Sequence, residues 1–472
     1  MRGLLALLGF AVSLAGCTTG PDHALPPLPA SKALSSGAFL RGSDAGADAA
    51  APLASWWEGL GDAGLNALVA RGLAETPGLA AAEARLRQAR AGLAGARSAL
   101  LPSGGASLIY AHAGLPNGAI GGVSSGGGSS NIDLFNAGFD AQWEADIWGG
   151  KRRDIERAAA EAGAAEARLA DAQVALSAEI ARSYIALRGG QARLALLAER
   201  HALETRLAEI ARRRFAGGTA PRQPLEAAQA RLDRTEAEQA GVTAQIATLG
   251  DALAVLTGQA PGEAGELAPG AIPLPPAVVA IGEPAAMLAR RPDIRAAERQ
   301  LAAASAKIGI EKARRFPSVS FLGLVGIGGT SAGDIFDASK LSTIALPRLS
   351  WNFFDFGRGA AAVRGAEAAR DAALADYRGA VLAALQDAEG GLARYGAARM
   401  ALARSASAAG HAREIARLEA LRSKAGTAAL SEALVAEHQA IDARIAETAV
   451  RADLTSAYVA LAKALGLGWQ ND

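Results

Sequence analysis

A chain of 472 residues with 48 Lys+Arg against 47 Asp+Glu carries a formal net charge of +1, only 5% aromatics and a single cysteine. Near-neutral charge argues against a nucleic-acid binder, which needs a basic stripe, and one Cys excludes a disulfide framework and any Cys-based zinc site. At roughly 100–200 residues per domain the length allows two or three domains, and the periodic apolar residues, 50% of the chain and rich in the strong helix former Ala, exclude fibrous and disordered classes.

Met1-Arg2 forms a short positive region, followed by an apolar run from Gly3 to Leu14. That run has secretory length and is too short to span a bilayer, which needs about 20 apolar residues. Leu14-Ala15-Gly16-Cys17 then resembles a bacterial lipobox, which implies a signal peptide over 1–16, cleavage before Cys17 and acylation of its thiol and new amino group. An ordinary signal peptide with a buried Cys is the plainer alternative. Several acyl chains anchor stably where one is marginal, at about 0.8 kcal/mol per buried methylene. Thr18 rather than Asp follows the cysteine, which by the same resemblance favours the outer membrane. Residues 17–55, rich in Pro, Gly, Ser and Ala, read as a lipidated tether.

The rest of the chain is a duplication. Thr76-Pro77-Gly78-Leu79 through Leu101-Pro102-Ser103 aligns without gaps on Arg291-Pro292-Asp293-Ile294 through Phe316-Pro317-Ser318, with Glu83 on Glu298 and Leu86 on Leu301. Further on, Gly218-Thr219-Ala220 matches Gly426-Thr427-Ala428, and Leu253 with Gly258 matches Leu461 with Gly466. A first repeat is therefore expected over 56–257 with a β-hairpin at about 102–148. A connector over 258–285 holds Pro261, Pro269, Pro273, Pro275, Pro276 and Pro284. The second repeat is expected over 286–467 with a hairpin at about 317–356, and 468–472 as a tail.

Each repeat contains a long helix. From about 150 to 215 there is no proline, and Leu169, Leu176, Ile180, Leu187, Leu194, Leu197 and Leu203 recur at mostly three-, four- and seven-residue steps. Leu374, Val381, Leu385, Leu392 and Leu402 repeat the pattern, a coiled-coil-like seam. At 1.5 Å per residue such a helix reaches roughly 100 Å, more than a single globular core needs. An ordinary bundle would favour shorter helices.

The inserts alternate instead. From Phe135 to Ile147 odd positions are apolar and even positions polar or Gly; Val319, Phe321, Val325 and Ile327 share a face, and Leu349, Trp351 and Phe353 alternate with Ser350 and Asn352. About half the aromatics lie in the two inserts, 102–148 and 317–356, as a membrane barrel wall requires. A soluble hairpin with one face on a core shows the same alternation. Four strands cannot close, and an open edge in lipid leaves backbone groups unsatisfied at several kcal/mol each. Two chains would give eight strands and three would give twelve, and only the larger number leaves much room for a channel.

Several runs resemble the outer membrane efflux protein family, the TolC-like outer membrane factors, and within it the NodT-like lipoprotein branch. They are Trp56-Trp57 with Leu65-Asn66, Asp146-Ile147-Trp148-Gly149-Gly150-Lys151-Arg152, Leu288-Ala289-Arg290-Arg291-Pro292-Asp293-Ile294-Arg295-Ala296-Ala297-Glu298, Phe316-Pro317, and Trp351-Asn352-Phe353-Phe354-Asp355-Phe356-Gly357-Arg358. The resemblance implies a mostly α fold with a transmembrane β-barrel part: a homotrimeric, twelve-stranded outer-membrane barrel continued by a periplasmic α-helical barrel. It also implies a passive exit duct for a tripartite pump, partnered by a periplasmic adaptor and an inner-membrane transporter of the resistance–nodulation–division type. No cofactor is implied beyond the covalent lipid on Cys17. Family members gate at the tip of the second helical hairpin with an aspartate ring and arginine contacts. The matching position here is Val435, so the aspartate does not carry over. Glu432 and Glu437 stand nearby as candidate gate acids, with Arg214, Arg422 and Lys424 as candidate partners. Solvated helix-end charges, worth about 0–1 kcal/mol per pair, are the simpler alternative.

Other signals are weaker. Gly122-Val123-Ser124-Ser125-Gly126 fits a nucleophile pattern but sits in a Gly/Ser-rich run, 118–130, with no strand-to-helix elbow. Gly326-Ile327-Gly328-Gly329 lacks the Gly-Lys-Ser/Thr of a phosphate loop. His23, His112, His201, His411 and His438 show no metal-ligand spacing and read as lone surface histidines. No catalytic constellation emerges, so no enzyme is expected. A protein-secretion or metal-efflux duct, and less directly a periplasmic coiled-coil adaptor lipoprotein, are the alternatives.

Overall fold

The computed structural model describes residues 18–28, 32–43, 46–48, 50, 54–115, 130–263, 265 and 267–469. The expected signal peptide, Cys17, all but Ser130 of the Gly/Ser-rich run and the last three residues lie outside them. The principal elements are α1 (Ala63–Glu75), α2 (Pro77–Ser98), β1 (Ser103–Leu115), β2 (Ser130–Ala145), α3 (Gly150–Ala216), α4 (Gln223–Leu256), α5 (Pro284–Arg290), α6 (Pro292–Ala313), β3 (Ser318–Gly329), β4 (Leu341–Ser350), α7 (Arg358–Lys424) and α8 (Leu430–Ala464).

The two repeats start and stop their long helices by the same chemistry. Asp146 accepts the backbone N–H groups of Lys151 and Arg152 at 2.9 and 3.0 Å at the start of α3. Asp355 accepts those of Gly357 and Gly359 at 2.9 and 2.7 Å before α7, so each motif aspartate satisfies otherwise orphaned N–H groups. At the far ends, Thr219 N–H bonds Arg214 O and Thr427 N–H bonds Arg422 O, both at 2.9 Å. Gly218 and Gly426 take φ of 69° and 76°. These are Schellman stops, in which the residue with positive φ is best served by Gly.

The chain forms two compact units, one of 1–26, 86–164 and 297–376, the other of 27–85, 165–296 and 377–472. Each draws on both sequence repeats. The first holds a single sheet in the order β1-β2-β3-β4, antiparallel throughout. The ladder ends at Ser318 paired with Ser350. The alternation read through Phe353 therefore outlasts the strand: β3 begins at Ser318, and residues beyond Ser350 have no partner to pair with. Trp351 instead donates its indole N–H to Arg315 O at 3.1 Å.

The second unit is a helical core. Ile180, Tyr184, Ile185 and Leu197 of α3, Val381, Leu392 and Tyr395 of α7, and Val459 and Leu461 of α8 are buried, each worth about 1.5–3 kcal/mol for its removal from water. Buried alanines such as Ala181, Ala254, Ala384 and Ala409 leave room for backbones to approach closely. Farther along, Leu196 and Leu203 of α3 pack with Leu434 and Ile441 of α8.

Candidate functional site

Strand side chains alternate, so register assigns every residue to a face. One face of the sheet carries Leu108 and Tyr110 of β1, Phe135, Phe139 and Trp143 of β2, Phe321 and Val325 of β3, and Leu341 and Leu349 of β4. Leu108, Phe139 and Leu349 are each more than 70% exposed. Its polar groups cluster at the loop end, where Asp133 accepts the Tyr110 hydroxyl at 3.0 Å and meets His112 at 2.8 Å. The other face carries Ser103, Ser107, Asn136, Asp140, Gln142, Glu144, Ser318, Ser320 and Arg348, with Ile109, Leu134, Leu322, Leu324, Ile344 and Leu346 interspersed. So broad an exposed apolar surface does not persist in water; it suits lipid.

Aromatic rings gather at the helix end of this sheet. Trp143 stacks on Phe321 at 5.6 Å and Trp148 on Phe316 at 4.5 Å. The two indoles donate to Leu100 O and Pro317 O at 2.9 and 2.8 Å. An apolar ring with a satisfied polar tip is the side chain suited to a membrane–water boundary. Strands β1 and β4 each pair on one side only, leaving two open edges.

Cys17 lies outside the described residues, but the chain that follows it is firmly seated. Thr19 Oγ1 donates within 3.1 Å of both Trp148 O and Gly309 O. Arg153, 3% exposed, gives its fork to Thr19 O (3.1 Å), Gly20 O (3.3 Å), Asp22 (2.7 Å) and Glu156 (2.7 Å). Burial pulls the guanidinium pKa down, and the carboxylates of Asp22 and Glu156 reverse that and leave it raised. The backbones touch: a Cβ on Gly309 would stand 2.5 Å from Thr19 O. Sequence reasoning missed this latch, because Arg153 reads as one of three basic residues opening a helix and its partners lie 131–134 positions away.

The candidate gate residues lie around the helix reversals. Arg214, Arg422, Lys424, Glu432 and Glu437 are all exposed. Arg422 turns to Glu419 on its own helix at 2.7 Å, and none of the ion pairs among the described residues joins these bases to Glu432 or Glu437. For Arg422 a partner three residues away on the same helix face is already in reach. Val435 is exposed among them. Beyond His112, three of the histidines read as lone surface residues have carboxylate partners instead. His23 meets Glu298 at 2.7 Å, His201 meets Glu236 at 3.0 Å, and His438 sits between Glu204 (3.0 Å) and Asp442 (3.1 Å). Among the described residues no group of three or more His, Cys, Asp or Glu is placed to hold a metal ion, and no helix is long and apolar enough to cross a membrane.

A sheet with one lipid-suited face and two unpaired edges, in a mostly helical chain whose longest helices run 67 residues, defines a membrane protein of mixed α and β structure. The chain belongs to the outer membrane efflux protein family, whose model matches residues 68–259 and 284–467. It is 30% identical over 477 residues to the pyoverdine export outer membrane protein OpmQ of Pseudomonas aeruginosa, covering 99% of this chain and 97% of the relative. Nodulation protein T of Rhizobium leguminosarum is 27% identical, with 98% and 96% covered. The solved outer-membrane channel OprN superposes with a TM-score of 0.87 at 31% identity, covering 96% of this chain and all of that one. The chain is thus a NodT-like, TolC-like outer-membrane efflux channel, from a family of channels and not of enzymes.

Proposed function

We propose that three copies of this chain complete a twelve-stranded outer-membrane barrel, anchored by lipid on Cys17, as the exit duct of a tripartite pump. The observation that carries this reading is the four-stranded sheet with one apolar face and two unpaired edges. Its edge N–H and C=O groups need partners in lipid, and three sheets joined edge to edge supply them while leaving a lumen. The face with Asp140, Gln142 and Glu144 then turns inward and wets the passage. Flow is passive, driven by an inner-membrane transporter of the resistance–nodulation–division type through a periplasmic adaptor. The name of OpmQ assigns that protein the export of pyoverdine, and small organic solutes are the cargo proposed here.

In the trimer the tips bring three copies of Glu432 and Glu437 together, where Arg214, Arg422 and Lys424 of adjoining hairpins reach them. The test is direct: the purified protein should run as a heat-modifiable trimer and conduct in planar bilayers. Radiolabelled palmitate should enter the wild type and not Cys17→Ser. A monomer that is soluble without detergent and silent in bilayers would overturn the barrel; unlabelled wild type would overturn the anchor.

A further inference from the structure

The polar face of the sheet carries an aliphatic island. Leu322 pairs directly with Leu346 and Leu324 with Ile344, and parity puts all four on the face of Asp140, Gln142 and Glu144. Ile344 and Leu346 are 45% and 51% exposed. On the β1–β2 hairpin the same rows hold Ser103 with Gln142 and Gly105 with Asp140. Strand propensity does not account for the difference, since Leu is not a favoured strand residue and Thr would serve a wet face.

The margins are charged. Asp140 stands opposite Leu324 and Glu144 opposite Ser320 across the β2–β3 ladder. Arg348, the base on this face among the described strand residues, stands opposite Ser320 on β4. Acids outnumber bases two to one, and they line one long side of the island.

We propose that this island is a lumenal contact site for solutes that join an apolar body to a positive charge, and that these residues bias what the duct passes. The inference rests on the barrel reading, which turns this face inward. An aliphatic patch set off from Ile109 and Leu134 of the same face by the Ser107, Gly138, Gly326 and Ser342 row shields part of an apolar solute from water, while the acidic margin favours a cation. Weak contact suits a duct, because a solute must leave as readily as it enters.

The experiment is photolabelling of the purified channel with an aryl-azide quaternary ammonium, mapped by peptide mass spectrometry, with conductance measured on the same preparation. Label is expected at Leu322, Leu324, Ile344 and Leu346. Tetraphenylphosphonium should displace it, with tetramethylammonium and tetraphenylborate each about fivefold or more weaker. Leu322→Thr with Leu346→Thr should cut labelling about fivefold, and Asp140→Asn with Glu144→Gln about twofold, with the heat-modifiable trimer kept as the control for insertion. Label confined to Phe321, Val325 and Leu349 on the opposite face, equal competition by tetramethylammonium, or unchanged labelling of a conducting variant overturns the proposal and leaves the barrel standing. Because the competition series uses wild-type protein, it decides the matter even if the variants fail to insert. A wild type that neither trimerises nor conducts removes the barrel reading and this inference with it.

Discussion

Replacing Arg153 by Met keeps most of the buried stem and removes the fork that holds the segment after Cys17. Four contacts are lost, and they are not equal. Asp22 is 90% exposed and Glu156 50% exposed, so water takes back both carboxylates and each pair counts for about 0–1 kcal/mol. Thr19 O and Gly20 O lie in a part-buried groove, and leaving such carbonyls unpaired costs about 1–3 kcal/mol each. The substitution should therefore weaken docking of this segment by about 3–5 kcal/mol, raising its undocked population roughly 150- to 5000-fold if it opens as a local unit. Hydrogen exchange of residues 18–28 in the detergent-solubilised protein reads that change, with exchange in β2 and β3 as the internal control. Arg153→Lys should fall between, since a point charge cannot span several acceptors as the planar fork does. Gly309→Ala should release the segment without altering any charge. Unchanged exchange at 18–23 in Arg153→Met would refute the reasoning, because no other side chain bonds both carbonyls.

Leu434→Ala, at a site 3% exposed in the α3–α8 seam, should cost about 2–5 kcal/mol and lower the temperature at which circular dichroism reports helix loss. Glu432→Lys or Glu437→Lys should alter antibiotic leak or drug susceptibility while the heat-modifiable trimer persists; unchanged leak and efflux would remove both from the gate. Burial tends to raise the pKa of Glu238, but Arg193 and Arg200 outweigh it and leave it lowered, so its folded pKa lies below the unfolded value of about 4.3. Its stabilisation is complete above that value and is lost as pH falls through the folded pKa. The melting difference between wild type and Glu238→Gln should accordingly shrink as pH drops from 6 toward 3 (roughly the carboxylate range).

The long helices were legible because their signal is local and repeated: apolar steps of three and four without proline predict rods, and the rods are there as α3 and α7. The strands were legible for the same reason, with odd positions of β2 apolar over most of its length. Legibility failed where the outcome depends on a distant partner. Trp351 and Phe353 continue the alternation beyond Ser350, yet a strand needs a neighbour and β3 supplies none past Ser318. His438 is an unremarkable helical residue until α3 brings Glu204 to it across 234 positions. Glu204 is 3% exposed, with one carboxylate oxygen otherwise unpartnered, an energetic commitment invisible in composition. Within one chain Arg422 turns to Glu419 on its own helix face, so a pairing between copies is not legible in one sequence.

The duplication also shows what a repeat cannot encode. The turn before α3 and the turn before α7 use the same aspartate cap and the same left-handed glycine, at Gly149 with φ 74° and Gly357 with φ 84°. A Cβ on Gly149 would fall 2.8 Å from Thr18 Cγ2, whereas Gly357 faces open space. One chain has one N-terminus, so only the first turn can be covered by it. At the second, Phe353, Phe354 and Phe356 are left 76%, 69% and 91% exposed, and Phe356 holds a positive φ of 53°, a backbone state that is disfavoured outside glycine. Exposed aromatics at the end of a lipid-facing sheet are tolerable where a membrane boundary or a neighbouring copy takes them up, and costly in water. The asymmetry between two otherwise equivalent turns therefore separates their tasks: the first receives the segment that follows Cys17, and the second presents rings to whatever surrounds the sheet.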